Sequence, residues 1–219
     1  MKEITADKIS KKYGQYLIFR RVEATFRSGV NGIAGPNGSG KSTLMKCLSG
    51  LLRPDRGELQ WKLDGRELSA EQRYRHMGFS APYVRLYAEL SCVENLRLVQ
   101  QLSQSGGKGS GEKNAETAEK NIQALLGEIG LEGFGPRWYG QLSSGQQQRM
   151  RLASAMIKKP AFLLLDEPGT NLDQAGFRLI KQLVADARTD GRLVLLASNE
   201  ARELDLCDSV TDISKWKPA

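Results

Sequence analysis

The stretch Gly35-Pro36-Asn37-Gly38-Ser39-Gly40-Lys41-Ser42-Thr43 constrains this chain more than any other feature. It fits G-x-x-x-x-G-K-[ST], and its setting gives that spacing meaning. Val30–Ala34 before it reads as a short buried strand, and the residues from Ser42 onward can form a helix. The glycines let consecutive backbone N–H groups turn inward, where the following helix N-terminus adds the positive end of its dipole. Such a loop is a cradle for phosphate oxygens. Lys41 is then expected to reach the β- and γ-phosphates, Ser42 a Mg²⁺ ion, and Thr43 the side of the α-phosphate.

A second segment extends this reading. Phe162-Leu163-Leu164-Leu165 is an apolar run of strand length that ends in Asp166-Glu167. Ligands of open α/β sheets gather beyond the carboxyl ends of the strands. Asp166 can therefore hold Mg²⁺ through water, while Glu167 orients or deprotonates an attacking water. Alone, an acidic pair after a strand is more often the start of a solvated loop; beside a phosphate loop the catalytic reading prevails. Between the two lies Leu142-Ser143-Ser144-Gly145-Gln146, followed by Gln147, Gln148 and Arg149. Serine here suits a helix N-cap, and the same geometry is an anion site.

In this order the segments resemble the Walker A loop, the LSGGQ signature and the Walker B strand of ATP-binding-cassette (ABC) ATPases, with Ser144 in place of the signature's first glycine. Tyr13, in KKYG, resembles the aromatic that stacks on adenine, a core tyrosine being the alternative. Asn171-Leu172-Asp173 resembles the D-loop, and Leu86–Leu96 the stretch after the Q-loop. The resemblance spans essentially the whole chain. It implies an α/β fold, a P-loop NTPase core with a mixed sheet and an inserted helical lobe, with ATP as substrate and Mg²⁺ as cofactor. It also implies a homodimer or pair of cassettes, head to tail, with ATP between Walker A of one and the signature of the other. Integral membrane transporter subunits would dock on the lobe, placing the chain in the cytoplasm, peripheral on the inner face of the cell membrane. The short end, Ile213–Ala219, leaves no room for the extra domain of sugar-importer ATPases, and the size resembles small exporter-type subunits such as those of the haem exporter.

Two positions depart from the family pattern. Pro82 stands where the Q-loop glutamine is expected, and Asn199 where the switch histidine is expected. A proline offers neither side-chain amide nor N–H, and Asn199 can donate a hydrogen bond but cannot carry a proton. Intact ATP binding with slow hydrolysis is the expectation, Glu167 and Asn199 being the catalytic candidates. The only histidine, His76, is expected at the surface.

Strands are expected at Glu3–Ile9, Tyr16–Phe19, Val22–Phe26, Val30–Ala34, Glu58–Trp61, Met77–Ser80, Ala161–Asp166, Arg192–Ser198 and Val210–Ile213. Helices are expected after the phosphate loop, through much of residues 91–158, and at Gln174–Thr189 and Ala201–Leu206. Residues 1–219 then form one domain, with 1–81 and 159–219 as the α/β core and 82–158 as the helical lobe; Ser103–Gly111 reads as a connector within it. No apolar run approaches a membrane span of roughly 20 residues. Cys47, Cys92 and Cys207 are odd in number and lack metal-ligand spacing, as expected of reduced thiols. The net charge of +7 reads first as solvated faces and second as proximity to an anionic bilayer. No aromatic residues interleave with the arginines from Arg53 to Arg97 as stacking platforms, so nucleic acid is not expected. A soluble ABC-type ATPase acting on nucleic acid or ribosomes is the alternative, although two cassettes or a long coiled coil would be expected of it. A P-loop kinase is disfavoured by the signature segment, and a GTPase by the lack of N-K-x-D.

Overall fold

The computed structural model describes residues 1–104 and 112–217, so most of the expected connector lies outside the described residues. The chain begins with a hairpin of two long antiparallel strands, β1 (Lys2–Tyr13) and β2 (Tyr16–Arg27), paired from Tyr13 and Tyr16 at the turn to Glu3 and Arg27. β2 replaces two expected shorter strands. Its alternation is interrupted at Arg21, whose φ is +51°, and an irregularity of that kind resets the period-two pattern. β3 (Gly29–Ala34) and α1 (Lys41–Leu48) flank the phosphate loop as expected.

β4 (Arg56–Leu63), β5 (Arg66–Glu67), α2 (Ala70–His76) and β6 (Met77–Ser80) follow. β5 and α2 were not anticipated. α2 buries none of its residues, so it has no apolar stripe to read; its one signal was the Ser69/Gln72 capping box. His76 is partly exposed at its end. The lobe contributes α3 (Cys92–Gln104), α4 (Glu112–Glu128), a 3₁₀ turn at Tyr139–Gln141 and α5 (Ser144–Met156). β7 (Phe162–Asp166), α6 (Gln174–Thr189), β8 (Leu193–Ser198), α7 (Ala201–Leu204) and β9 (Ser209–Asp212) complete the core.

The expected mixed strand set divides into two sheets, one antiparallel in the order β2-β1-β4-β5 and one parallel in the order β6-β7-β8-β3-β9. β7 explains the parallel sheet's burial. Phe162 and Leu164 pack with α1 and the antiparallel sheet, while Leu163 and Leu165 pack with α5 and α6 on the opposite face. A strand covered on both faces has to be apolar at every position. A third apolar cluster, including Leu96, Ile122, Leu126, Tyr139 and Met150, joins the helices of the lobe. Cys47, Cys92 and Cys207 are free. No helix among the described residues is long and apolar enough to cross a membrane.

Trp61 holds the two sheets and the phosphate-loop helix together. It is fully buried, its ring lies 4.6 Å from that of Phe162, and its Nε1–H donates to the Leu48 carbonyl at 3.0 Å. Trp61→Phe leaves that carbonyl unpaired and opens a small cavity, so it should cost about 2 kcal/mol of stability in a denaturant titration. An unchanged midpoint would show that α1 is held elsewhere.

Candidate functional site

Because β3, β6, β7 and β8 run parallel, their carboxyl ends share one edge: Ala34 is level with Ser198, Asp166 with Ala197, and Ser80 with Leu165. The residues that follow, Gly35, Ala81, Glu167 and Asn199, therefore leave the sheet side by side. This is where open α/β sheets bind ligands.

The phosphate loop is held in shape at this edge. Gly40 caps α1 in the left-handed region at φ +99°, which a side chain would resist; an added Cβ there would lie 2.7 Å from Ile18. Lys41 is buried, and its Nζ donates to the carbonyls of Gly35 at 2.9 Å and Pro36 at 3.2 Å. The same amine lies 3.7 Å from Glu167 Oε1. Asn199 reaches across from the end of β8, its Nδ2 donating to Asn37 Oδ1 at 3.1 Å. Lys41, Glu167, Asn37 and Asn199 thus meet, although their positions span most of the chain.

Glu167 adopts φ +47°, and its N–H donates to the Ala197 carbonyl at 2.8 Å. A left-handed backbone at a non-glycine residue costs about 1 kcal/mol or more and persists where surrounding structure imposes it. Here it turns the chain sharply after β7, so that Asp166 stays buried while Glu167 remains about one-third exposed. Asp166 is fully buried, and neither of its carboxylate oxygens has a partner at hydrogen-bonding length. Burial raises its pKa, partly opposed by the nearby hydroxyls of Ser42 and Tyr83. Ser39 Oγ and Ser80 Oγ are also buried without partners. An uncompensated buried carboxylate beside a serine hydroxyl is a hard-oxygen donor set that suits Mg²⁺.

That carboxylate should destabilise the nucleotide-free protein. A carboxylate whose folded pKa is raised contributes stability that is complete below its unfolded pKa and is lost as pH rises through the folded one. Asp166→Asn should therefore raise the melting temperature without nucleotide at neutral and higher pH, by the equivalent of about 1–3 kcal/mol. The gain should vanish in acid. Equal melting at both pH values would show that the carboxylate is compensated.

Tyr83 was not anticipated. It follows Pro82, which is exposed; its ring lies 3.9 Å from Lys46 Nζ, and its hydroxyl is close enough to Asp166 for the two to perturb each other. Burial, then the Asp166 charge, pushes its pKa up. No sequence signal marked it, because Lys46 and Asp166 come from distant elements.

Tyr13 is half exposed at the end of β1, so it is not the core tyrosine of the alternative reading. The turn Leu142–Gln146 opens α5 with a reciprocal cap: Gln146 N–H donates to Ser143 Oγ at 3.3 Å, and Ser143 N–H to Gln146 Oε1 at 2.9 Å. Ser144 is exposed, and Gly145 packs close to the Asn171 carbonyl. α5 is tied to the acidic loop by two contacts. Gln148 Nε2 donates to the Pro168 carbonyl at 2.8 Å, and Arg149 pairs with Asp173 at 3.1 Å. Asp173 also caps α6. Among the described residues, no hydrogen bond or ion pair links Leu142–Gln146 to the phosphate loop.

Comparison with known proteins matches residues 19–170 to the ABC transporter family. A putative ABC transporter ATP-binding protein of Pyrococcus abyssi is 33% identical over 203 residues, covering 90% of this chain and 74% of that protein. The cytochrome c biogenesis ATP-binding export protein CcmA of Photobacterium profundum is 30% identical over 199 residues, covering 90% of this chain and 92% of the relative. Among solved structures, a dimeric ATP-binding cassette in a post-hydrolysis state with ADP and Pi superposes with a TM-score of 0.81 at 25% identity, covering 95% of this chain and 93% of that one.

Proposed function

Because this chain belongs to the ABC transporter family, as an ATP-binding and ATP-hydrolysing subunit, we propose that Gly35–Thr43 cradle the triphosphate and that Glu167 activates the attacking water. The observation that carries this reading is the meeting of Lys41, Asp166, Glu167 and Asn199 at one sheet edge. Lys41 would exchange the Gly35 and Pro36 carbonyls for phosphate oxygens. Ser42 and Asp166, the latter through water, would hold Mg²⁺, which when bound neutralises charge on the phosphates. Tyr13 stacks on the adenine. Asn199 holds the γ-phosphate side by a neutral amide hydrogen bond.

Two copies close head to tail on ATP. Leu142–Gln146 opens a helix with Ser144 exposed beyond the Ser143–Gln146 cap, stands apart from its own phosphate loop and serves that of a second copy. Arg149 and Asp173 couple this turn to the D-loop within each copy. We read residues 82–158 as the lobe on which separate integral membrane subunits dock, placing the chain at the inner face of the membrane. Similarity to CcmA over nearly all of that protein supports a small exporter-type subunit. The relatives' transporter names favour this over a soluble ATPase acting on nucleic acid or ribosomes.

The test is Mg²⁺-dependent phosphate release by the purified chain and by the chain co-purified with its membrane partner. Turnover should be slow, because catalysis of phosphoryl transfer rests on positioning and electrostatics, and both Pro82 and Asn199 weaken them. Asn199→His should leave the rate unchanged or raise it, by up to about tenfold for one added charge-assisted contact. Loss of all activity in that variant would show that the amide does something a histidine cannot.

A further inference from the structure

Most of this chain's excess positive charge has no evident role at the nucleotide site. Part of it converges on the outer side of the antiparallel sheet, around a concavity of about 530 Å³. Lys8, Lys12, Arg20, Arg21 and Arg56 line it, and among the described residues their side chains make no hydrogen bond or ion pair. The one carboxylate in the lining, Asp55, is already engaged by Lys11 at 3.3 Å and by the Lys12 N–H at 2.8 Å. Asp7, Glu23 and Glu58 lie in the adjacent concavity and pair with none of these cations. Charge is thus separated along the sheet face rather than interspersed, which concentrates a positive field in the concave part.

The backbone under this patch is costly to form. Lys8 and Arg21 both lie in the left-handed region, with φ of +53° and +51°. Each sits at an irregularity in the pairing of β1 with its neighbours. β4 presses on the first at Gly57, where an added Cβ would stand 2.4 Å from the Asp7 carbonyl oxygen and 2.5 Å from Ile9 N. The second is fixed by its own N–H, which donates to Ser10 Oγ at 2.9 Å, while the Ser10 carbonyl accepts from Asp55 N. Glycine and asparagine adopt this conformation with least strain. Long cations stand there instead, on a rigid base, aimed into the concavity beside three more.

We propose that this concavity is a second anion site, distinct from the nucleotide site, which takes a phosphate-bearing ligand. Arginine and lysine bind phosphate oxygens through charge-assisted hydrogen bonds, arginine in a bidentate fork. A phosphate there would relieve the mutual repulsion of five unpaired cations. The ligand is either a soluble polyphosphate or the headgroup of an anionic lipid. A nucleic acid fits less well, since the cations surround one hollow rather than tracking a strand, and no aromatic side chain lines it.

The experiment uses the full chain saturated with Mg·ADP, so that the phosphate loop is filled. Inorganic tripolyphosphate is titrated in by calorimetry, and sedimentation is measured with phosphatidylcholine vesicles with and without phosphatidylglycerol. The comparison is with Lys8→Asn/Arg21→Asn, and with a control neutralised elsewhere, Arg66→Gln/Lys215→Gln. Binding of tripolyphosphate identifies the soluble source, and sedimentation only with phosphatidylglycerol identifies the lipid headgroup. In either case Lys8→Asn/Arg21→Asn should bind more weakly, about 25-fold for vesicles at roughly fivefold per cation and about tenfold or more for tripolyphosphate. Its melting temperature should hold or rise, because asparagine relieves the left-handed strain. The proposal is overturned if neither probe binds, if the control loses as much as the test variant, or if an oligonucleotide outcompetes both probes.

Discussion

Lys41→Ala should weaken Mg·ATP binding by on the order of 100-fold, since hydrogen bonds from a charged donor are worth about 1.5–3 kcal/mol and this amine is proposed to serve two phosphates. The loss has two parts. The charge facing the phosphates disappears, and so do the bonds from Nζ to the Gly35 and Pro36 carbonyls, which fold the loop back over its own helix. Glu167 also loses its cationic neighbour. Calorimetry on wild type and variant checks the first part, and melting without nucleotide reports the second. An unchanged ATP affinity would remove the phosphate-loop assignment altogether.

Glu167→Gln should lower steady-state phosphate release by about 100- to 1000-fold, the usual contribution of a positioned general base, while leaving ATP affinity nearly intact. The amide keeps the shape of the side chain and the left-handed turn beneath it, but it cannot take a proton from water. ATP held without hydrolysis should accumulate a closed pair of cassettes, visible as a doubling of mass in light scattering at saturating ATP. A variant that stays monomeric there would remove the head-to-tail sandwich. Turnover unaffected by the substitution would place the catalytic centre elsewhere.

The contrast between these residues and Tyr83 or Asn37 shows what can be read before folding. Lys41, Ser42, Asp166 and Glu167 are legible as candidates because a phosphate site needs inward backbone N–H groups and a carboxylate pair at the end of an apolar strand; both demands are local and leave a spacing. Asn199 is legible only through resemblance, as the residue at a position otherwise held by histidine. Its bond to Asn37 depends on β8 lying beside β3.

The same division runs through the fold. Strands such as β7 and β8, buried on both faces, announce themselves as apolar runs. α2 has no buried side, so nothing periodic marks it, and β2 reads as two strands because Arg21 breaks the alternation. By itself, then, the chain's order of residues determined the family pattern, the loop proposed to bind phosphate, and which acid follows which strand. The tertiary structure alone decided that four parallel strands end at one edge. It decided that Asp166 lies buried and unpartnered while its neighbour turns outward, and that Lys8 and Arg21 share a hollow with cations from β1, β2 and β4. The physical reason is that backbone chemistry is written in short spacings, whereas burial, strain and the pairing of charges are set by elements distant in sequence that meet only when the sheets form.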